Sequence, residues 1–335
     1  MNPDRLASMP KVELHLHLEG AIPLGAMWEL VQRSGGDPEV PDPEAFTRRL
    51  AYRDFAHFID TWVWKNRYLR DLEAFEYAAA AVAGSLAEQR IVYAEAFFSP
   101  TDFAHHGMSP QDLAVAIRRG LDSVTGTEVR LVADLVRDTG PGRAMRTFDQ
   151  VREVAGEAGV IGIGIGGSEA EYPPGQFRAV YRKAEAAGFH RTAHAGEAAG
   201  PESIRGTLDA LGVERIGHGV QAAEDPALLE ELVTRQVPLE VCPTSNLRTG
   251  VVASWERHPV GELLAAGALV TLNTDDPAMF ACSLAGEYRE VAARFGLGGE
   301  ALLGIARNGI AASWAPPARK QELAAELDRW WSGDP

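Results

Sequence analysis

Cysteine and basic residues are scarce in this chain. Only two of its 335 residues are cysteine, Cys242 and Cys282, which excludes a disulfide framework and a cysteine-rich zinc module. The chain has 32 Lys and Arg against 47 Asp and Glu, so its net charge is −15. Nucleic acids and anionic membranes are bound by basic surfaces, which so acidic a chain lacks. We therefore expect no nucleic acid and no membrane as partners, but a small molecule.

Long hydrophobic runs are also missing. The apolar stretches are too short, or too interrupted by charges, to span a bilayer. The N-terminal residues lack the basic segment and following apolar segment of a secretory signal. With 46% hydrophobic and 24% charged residues, the composition is that of an ordinary globular protein. We expect a cytoplasmic protein with one domain over residues 1–335, and the sequence leaves its oligomeric state open.

Short β-rich runs alternate with amphipathic helical patterns from end to end. The runs that we predict as strands are Val12–Glu19, Ile91–Phe98, Glu128–Val136, Val160–Ile165, Arg191–Glu197, Arg215–Val220, Pro238–Cys242 and Leu269–Asp275. Alternation of strands and helices implies parallel pairing, and eight such units predict an α/β fold, the (β/α)8 TIM barrel. An open doubly wound sheet is the alternative. The barrel is favoured because reactive residues follow several strands, where barrel active sites lie.

The connection after the first predicted strand is unusually long. Residues 21–90 lie where a short loop and one helix would suffice. Within it, Phe55, Phe58, Ile59 and Trp62 are spaced as on one face of a helix. We predict a helical insert that caps the active site at the barrel mouth, with ordinary packing of this face as the alternative.

The most informative motif is KVELHLHLEG at residues 11–20. Alternate side chains of a strand share a face, so Glu13, His15, His17 and Glu19 are expected together, opposite a row of apolar side chains. Buried imidazoles and carboxylates are costly unless a metal or a dense hydrogen-bond network compensates them. A lone histidine is more often a satisfied core residue. Two on one face, flanked by acids, favour half of a metal site.

Further reactive residues lie at the ends of other predicted strands. They are Gly166 and Gly167 after the fourth strand, His194 and Glu197 at the fifth, His218 at the sixth, and Asp275 and Asp276 at the eighth. Each segment alone is a weak signal, but all of them fall at one end of the same predicted barrel. Three imidazoles and one carboxylate suit a divalent ion such as zinc, which would generate hydroxide from water at neutral pH.

In order, and along nearly the whole chain, these segments resemble the adenosine deaminase branch of the amidohydrolase superfamily. The matching elements are the H-x-H strand, the glycine-rich turn with Ser168-Glu169, H-A-G-E, G-H-G, V-C-P-T-S-N and N-T-D-D-P. The resemblance implies a hydrolase of purine metabolism that deaminates a 6-aminopurine with a zinc-activated hydroxide. It implies one divalent metal ion, with Zn²⁺ expected.

The resemblance also implies a role for each matching residue. His15, His17, His194 and Asp275 correspond to the metal ligands. Glu197 corresponds to the acid that protonates N1 of the purine, His218 to the residue that orients and deprotonates the water, Asp276 to the carboxylate at N7, and Gly167 to the backbone donor toward N3. One metal is favoured over two, because none of the four lysines ends a predicted strand, where binuclear relatives place a bridging lysine.

Two positions bear on the substrate and point in opposite directions. Glu19 stands where adenosine deaminases carry an aspartate that meets the ribose, and a glutamate there is typical of adenine-deaminating relatives. Those relatives also place an Asp-Ser pair where this chain has Gly166-Gly167, which leaves room for a sugar that Phe58 and Trp62 could cover. We expect a purine nucleoside, with adenosine deaminated to inosine and ammonia. Aminodeoxyfutalosine, an intermediate of menaquinone synthesis, and adenine are the alternatives.

Two rival classes of function remain to be weighed. A catalytically silent binding barrel would have lost a metal ligand or the acid, and neither is lost here. A metal hydrolase acting on an ester or amide fits less well, since the pair Glu197 and Asp276 suits a purine ring.

Overall fold

Eight parallel strands follow one another around the barrel in chain order. The computed structural model describes the backbone of residues 3–53 and 55–333, and the side chains of residues 5–53 and 57–333. The strands are β1 Lys11–His17, β2 Ile91–Phe98, β3 Glu128–Asp134, β4 Val160–Gly164, β5 His190–Ala195, β6 Arg215–His218, β7 Leu239–Val241 and β8 Val270–Leu272. Each strand pairs in parallel with the next. The predicted (β/α)8 TIM barrel is confirmed.

Helices alternate with these strands. They are α1 Pro3–Ser8, α2 Leu18–Ala21, α3 Leu24–Arg33, α4 Pro43–Arg49, α5 Phe55–Asn66, α6 Leu72–Glu88, α7 Pro110–Asp122, α8 Pro141–Ala158, α9 Arg178–Ala186, α10 Pro201–Leu211, α11 Pro226–Arg235, α12 Pro243–Arg248, α13 Val260–Ala265, α14 Pro277–Phe280, α15 Leu284–Phe295, α16 Gly299–Ala312 and α17 Pro317–Ser332. Short 3₁₀ turns occur at Ala104–His106, Arg137–Thr139, Pro174–Phe177, Val220–Glu224 and Trp255–Arg257. No helix of the described ranges is long and apolar enough to cross a membrane.

Several helices begin at side chains that cap them. The carboxylate of Asp71 accepts a hydrogen bond from the amide of Ala74 at the start of α6. At the start of α7, Ser109 caps the first turn and Pro110 occupies it. The strand β2, which lies between these two helices in the sequence, is buried at every position and includes the acid Glu95.

The strands end earlier than the sequence predicts. β1 stops at His17, and Glu19 lies in the short helix α2. The prediction of a strand over Val12–Glu19 was therefore wrong at its end, and Glu19 does not share a strand face with His15 and His17. Similarly, β8 ends at Leu272, so that Asp275 and its neighbours belong to the loop that follows. The sequence motifs extend over the strand ends and the loops that follow them, because both are buried and carry functional residues.

This loop after β8 also closes the barrel against β1. The amide of His17 donates to the carbonyl of Asp275 at 2.8 Å, and the amide of Asp275 donates to the carbonyl of His15 at 3.0 Å. We call this contact between β1 and the loop after β8 the seam. Two side chains extend it: the Asn273 side-chain oxygen accepts a hydrogen bond from the Leu14 amide, and the Glu13 carboxylate accepts hydrogen bonds from Thr274. Glu13 therefore serves the seam, although the sequence placed it in line with the histidines.

Within the long insert, α5 packs on the loop region after β8. The Phe58 ring stacks on Phe280 with ring centroids 5.2 Å apart, and Phe58 is buried together with Met279. The ring of Trp62 lies 6.3 Å from that of His17. The side chain of Phe55 lies outside the described residues. Of the predicted apolar face, Phe58 therefore packs against the loop region after β8, whereas Trp62 lies at the barrel mouth near His17.

Asn273→Ala should destabilise the fold through the seam. Asn273 is fully buried, and its loss leaves the Leu14 amide without an acceptor, at a cost of about 1–3 kcal/mol. Chemical denaturation measures the effect. Asn308→Ala is the matched control, because Asn308 donates to the β8 carbonyl of Val270 from a half-buried position that water can reach. Equal effects of the two substitutions would contradict a special role for the seam.

Candidate active site

Four side chains from three parts of the barrel meet at the carboxyl ends of its strands. His15 and His17 come from β1, His194 from β5, and Asp275 from the loop after β8. One ligand atom from each lies within 4.8 Å of the other three, and all four residues form one candidate metal group. His194 Nε2 lies 3.1 Å from His15 Nε2 and 3.2 Å from His17 Nε2, while Asp275 Oδ1 lies 3.2 Å from His17 Nε2.

These distances fit a divalent ion. Bonds of about 2.0–2.1 Å from a tetrahedral zinc ion place two ligand atoms about 3.3 Å apart. Burial lowers the pKa of His15 and of His194, which favours the neutral imidazole that binds metals. Nitrogen lone pairs so close together in a buried site repel one another unless a cation or a proton lies between them. The residues present therefore fit the metal that the sequence predicts.

A second, overlapping group of candidate ligands shares part of this cage. Cys242 and His218 lie within 4.8 Å of the ligand atoms of His15 and Asp275. The cage with three histidines offers three imidazoles and one carboxylate, a donor set that suits zinc, and it is the better metal site on this ground.

The backbone conformation of two site residues is unusual. His218 has φ +59° and Asp275 has φ +64°, values that residues other than glycine rarely adopt. Such strain is often found at functional sites, where the surrounding structure imposes it. For Asp275 the constraint includes the seam to β1 and a hydrogen bond of 2.6 Å from the Ser245 hydroxyl to Oδ2.

His218 presents one ring nitrogen to the site. Its Nδ1 lies 3.1 Å from the side-chain amide of Asn246, which fixes the ring. Its Nε2 lies 3.6 Å from Glu197 Oε2 and 3.8 Å from Asp275 Oδ2, and no hydrogen bond to it is found among the described residues. An imidazole held in this way can exchange a proton with a group bound between it and the carboxylates.

Glu197 is held by a neighbouring carboxylate that binds its backbone. The two oxygens of Glu169 accept hydrogen bonds from the amides of Gly196, Glu197, Ala198 and Ala199 at 2.6–3.2 Å. This cradle fixes the turn after β5 and hence the Glu197 side chain. Burial raises the pKa of Glu197, so its protonated form persists to higher pH than for an exposed glutamate.

Asp276 packs against a position where only glycine fits. A Cβ atom on Gly20 would lie 1.7 Å from Asp276 Oδ1. That buried oxygen has no hydrogen-bond partner among the described residues. Burial and then the charge of Asp275 raise the pKa of Asp276 well above its ordinary value. A neutral Asp276 could donate a hydrogen bond to an acceptor on a ligand.

One cavity of about 290 Å³ connects these groups with the insert and the β4 turn. Its described lining residues are His17, Phe58, Ile59, Trp62, Val63, Ser99, Asp102, Asp134, Val136, Asp138, Gly166, Gly167, Ser168, His194, Glu197, His218, Thr249, Asp275, Asp276 and Phe280. Most of the sequence-predicted site residues are thus brought together, including Phe58, Trp62 and Gly167. The lining includes Ile59 and Val63, the exposed large apolar side chains of α5.

Glu19 is placed differently from the sequence expectation. It is fully buried and does not line the cavity, and its Oε1 accepts a hydrogen bond of 3.0 Å from the Ser99 amide. Its carbonyl accepts from Lys65 Nζ at 2.6 Å. The resemblance implied that Glu19 lies beside the substrate, but α2 turns its side chain toward the end of β2, away from the described cavity lining.

The glycine pair after β4 leaves less room than the sequence indicates. A Cβ atom on Gly167 would lie 1.9 Å from Asp138 Oδ2, so the Asp138 carboxylate fills that space. Asp138 is in turn bonded to the amide and hydroxyl of Ser168. The amide of Gly166 donates to Asp134 at 2.8 Å. Asp134 at the end of β3 and Asp138 in the loop that follows it therefore lie beside the glycine turn.

Several residues of the site were missed by the sequence reasoning. They are Asp134 at the end of β3, Asp138 after β3, Asp102 after β2, and Ser245 and Asn246 after β7. The last two lie within the V-C-P-T-S-N motif, which was noted without assigning roles to its residues. The three acids carry no local signal beyond their places at or after the ends of strands, and that position could have marked them.

Comparison with known proteins gives consistent matches over nearly the whole chain. The family model for adenosine deaminase matches residues 10–330. A relative named aminodeoxyfutalosine deaminase, from Streptomyces avermitilis, is 36% identical over 333 residues, which cover 97% of this chain and 92% of the relative.

Solved structures agree with this match. An adenine deaminase from Arthrobacter aurescens superposes with a TM-score of 0.90 and 31% identity, covering 97% of this chain and all of that one. An amidohydrolase from Burkholderia ambifaria with bound zinc gives a TM-score of 0.89 and 28% identity, covering 99% of this chain and 94% of that one.

Two histidine substitutions distinguish the overlapping metal groups. His17→Ala should abolish tight binding of one metal equivalent, because His17 belongs only to the cage with three histidines. His218→Ala should leave binding within a few-fold of wild type. Elemental analysis and zinc titration against a chromophoric chelator measure both. The opposite result would assign the metal to the group with Cys242.

Proposed function

Since the chain belongs to the adenosine deaminase family of metal-dependent amidohydrolases, we propose that it deaminates a 6-aminopurine nucleoside, with adenosine converted to inosine and ammonia. The family and its deaminase chemistry are the premise, and the choice of adenosine is the proposal. The observation that supports deamination is one cavity whose lining includes residues of the metal cage together with Glu197, His218 and Asp276.

We propose that His15, His17, His194 and Asp275 hold one zinc ion. A divalent ion bound there supplies a water whose pKa is lowered to roughly 7. The protein's own contribution is to orient the purine and to move protons around it.

Glu197 is proposed as the general acid. In its protonated form it can donate to N1 of the purine, which draws electrons from C6 and makes that carbon electrophilic. The Glu169 cradle and the raised pKa both support this assignment, because they fix the backbone and favour the protonated carboxyl. Glu197 Oε2 lies 3.6 Å from His218 Nε2, so acid and base are next to each other in the cavity.

We propose that His218 acts on the attacking water and that Asp276 acts on the purine. His218 Nε2 accepts the proton of the attacking water, since Asn246 occupies its other ring nitrogen. Asp276, which lines the cavity, donates a hydrogen bond to N7. The backbone amide of Gly167 faces N3, as the family resemblance implies. The oxygen of the attacking water bonds to C6, and His218 passes the proton that it took to the amino group there. The C6–N bond then breaks and ammonia leaves, while the hydroxyl proton on the C6 oxygen returns to Glu197, so that C6 becomes a carbonyl.

The lining of the cavity supports a neutral nucleoside. Asp102, Asp134 and Asp138 line the cavity, and none of its described lining residues is Lys or Arg. Carboxylates accept hydrogen bonds from sugar hydroxyls but repel a phosphate. Ile59 and Val63 add apolar surface to the lining. Adenosine matches both features, whereas a nucleotide does not.

Adenine and aminodeoxyfutalosine are the alternative substrates. The structural neighbour from Arthrobacter aurescens is named for adenine, and the relative from Streptomyces avermitilis for aminodeoxyfutalosine. Asp138, which fills the space beside Gly167, favours adenine by removing room from the pocket. The exposed Ile59 and Val63 favour the larger nucleoside, because its aryl group could rest on them.

Glu197→Gln should lose most of the deaminase activity while the protein remains folded and binds metal. A general acid contributes about 10²–10⁴ in rate, and glutamine has no comparable proton to transfer. The kcat for adenosine and the zinc content of the variant are measured together. Activity within a few-fold of wild type, with full metal content, would remove Glu197 from the mechanism.

The substrate proposal predicts a ranking of kcat/KM values. Adenosine should exceed adenine by tenfold or more and AMP by a hundredfold or more, with aminodeoxyfutalosine assayed alongside. At a pH well above the pKa of Asp102, which burial raises to about 7, Asp102→Asn should narrow the ratio of adenosine to AMP, because it then removes one negative charge from the cavity wall. Asp209→Asn, an equal change of charge on the exposed surface of α10, is the control. A higher kcat/KM for adenine or for aminodeoxyfutalosine than for adenosine would contradict adenosine as the substrate.

A further inference from the structure

A chain of buried charges runs from the metal cage through the barrel interior. His15 Nδ1 lies 2.8 Å from Glu240 Oε2, and Glu240 Oε1 lies 2.5 Å from Arg215 Nε. Arg215 Nη2 lies 2.6 Å from Glu95 Oε2. The side chains of these four residues are at most 1% exposed. No step of the proposed deamination uses Glu240, Arg215 or Glu95.

Arg215 and Glu95, the members of this row of buried charges that lie away from the metal cage, contact the end of α16 and the segment that follows it. The guanidinium of Arg215 lies over the Trp314 ring, 3.5 Å from its centroid, and donates to the carbonyl of Ala312. Glu95 Oε1 accepts hydrogen bonds from the Trp314 amide and the Tyr93 hydroxyl. Arg215 is therefore fixed from several sides, and it fixes the carboxylate of Glu240.

The contact with Glu240 decides which nitrogen of His15 is free. A carboxylate that pairs with Arg215 is ionised and can only accept, so His15 Nδ1 must carry the proton. The lone pair of a neutral His15 then lies on Nε2, which is the atom in the metal cage. The same contact sets the rotation of the ring. A carboxylate behind a metal-binding histidine is known in general to tune metal affinity.

We infer that Glu240 is a positioning residue for the metal site, which acts through His15 and is itself held by Arg215. The inference rests on the metal cage of the proposed function, and it adds a residue that contacts neither metal nor substrate. Its negative charge also lies one imidazole away from the cation. Loss of Glu240 should therefore weaken metal binding even where the fold survives.

Glu240→Gln tests this inference, with Glu95→Gln as the matched control. Each substitution removes one charge from the same guanidinium at nearly constant shape, but only Glu240 touches His15. The measurements are the zinc dissociation constant, from chelator competition, and the Tm of the metal-free protein. We expect both variants to lower Tm by similar amounts. Glu240→Gln should weaken zinc binding about 10- to 100-fold, and Glu95→Gln less than threefold.

The absorption spectrum of the Co²⁺-loaded protein supplies a second readout. Its visible bands should shift in Glu240→Gln, where the His15 ring is released, and stay unchanged in Glu95→Gln. Equal losses of zinc affinity in the two variants, or no loss in either, would overturn the inference. A wild-type protein that binds no metal would instead overturn the proposed function.

Glu240→Asp covers the case in which Glu240→Gln does not fold. It keeps the charge but is one methylene shorter, so it cannot maintain both the Arg215 and the His15 contacts at their present lengths. Weaker zinc binding in this variant supports the inference. Wild-type affinity in Glu240→Asp would contradict it.

Discussion

The crowding of three imidazole nitrogens and one carboxylate oxygen is the constraint on which the rest of the structure depends. These atoms lie within 4.8 Å of one another in a buried site, and a divalent cation bound between them would make such an arrangement favourable. The barrel brings them together from both ends of the chain. Its closing seam consists of the same residues, since the backbone of Asp275 bonds to that of His15 and His17. Fold closure and assembly of the metal cage are therefore one event.

The fold and the metal cage could be read from the sequence for a simple physical reason. Alternation of apolar strands with amphipathic helices is a local pattern, and the barrel places all strand ends on one side. His15, His17, His194 and Asp275 lie at or near strand ends, so the barrel topology predicts that they meet. Their selection as metal ligands, from among the reactive residues at that end, rests on the family resemblance. The Glu13 contact to Thr274 could not be read, because it depends on the register of the first strand against the last.

The substrate pocket was less accessible to sequence reasoning. The resemblance placed Glu19 beside the substrate, but the chain turns into α2 one residue after His17, and the side chain contacts the Ser99 amide instead. The glycine pair was expected to leave room, but Asp138 arrives from another loop to fill it. Both corrections concern contacts between segments that follow different strands. Such contacts leave no local pattern in the sequence. For the same reason Glu240 and Glu95 stood unnoticed as acids within apolar strands.

The most direct test of the account is a crystal structure of the zinc-loaded protein with a purine riboside analogue that is tetrahedral at C6, since such an analogue mimics the transition state. The account predicts zinc on His15, His17, His194 and Asp275, with Glu197 within hydrogen-bond distance of N1 and the ribose beside Asp102 and Asp138. A metal held by Cys242 and His218, or a purine bound with C6 turned away from the metal, would contradict it.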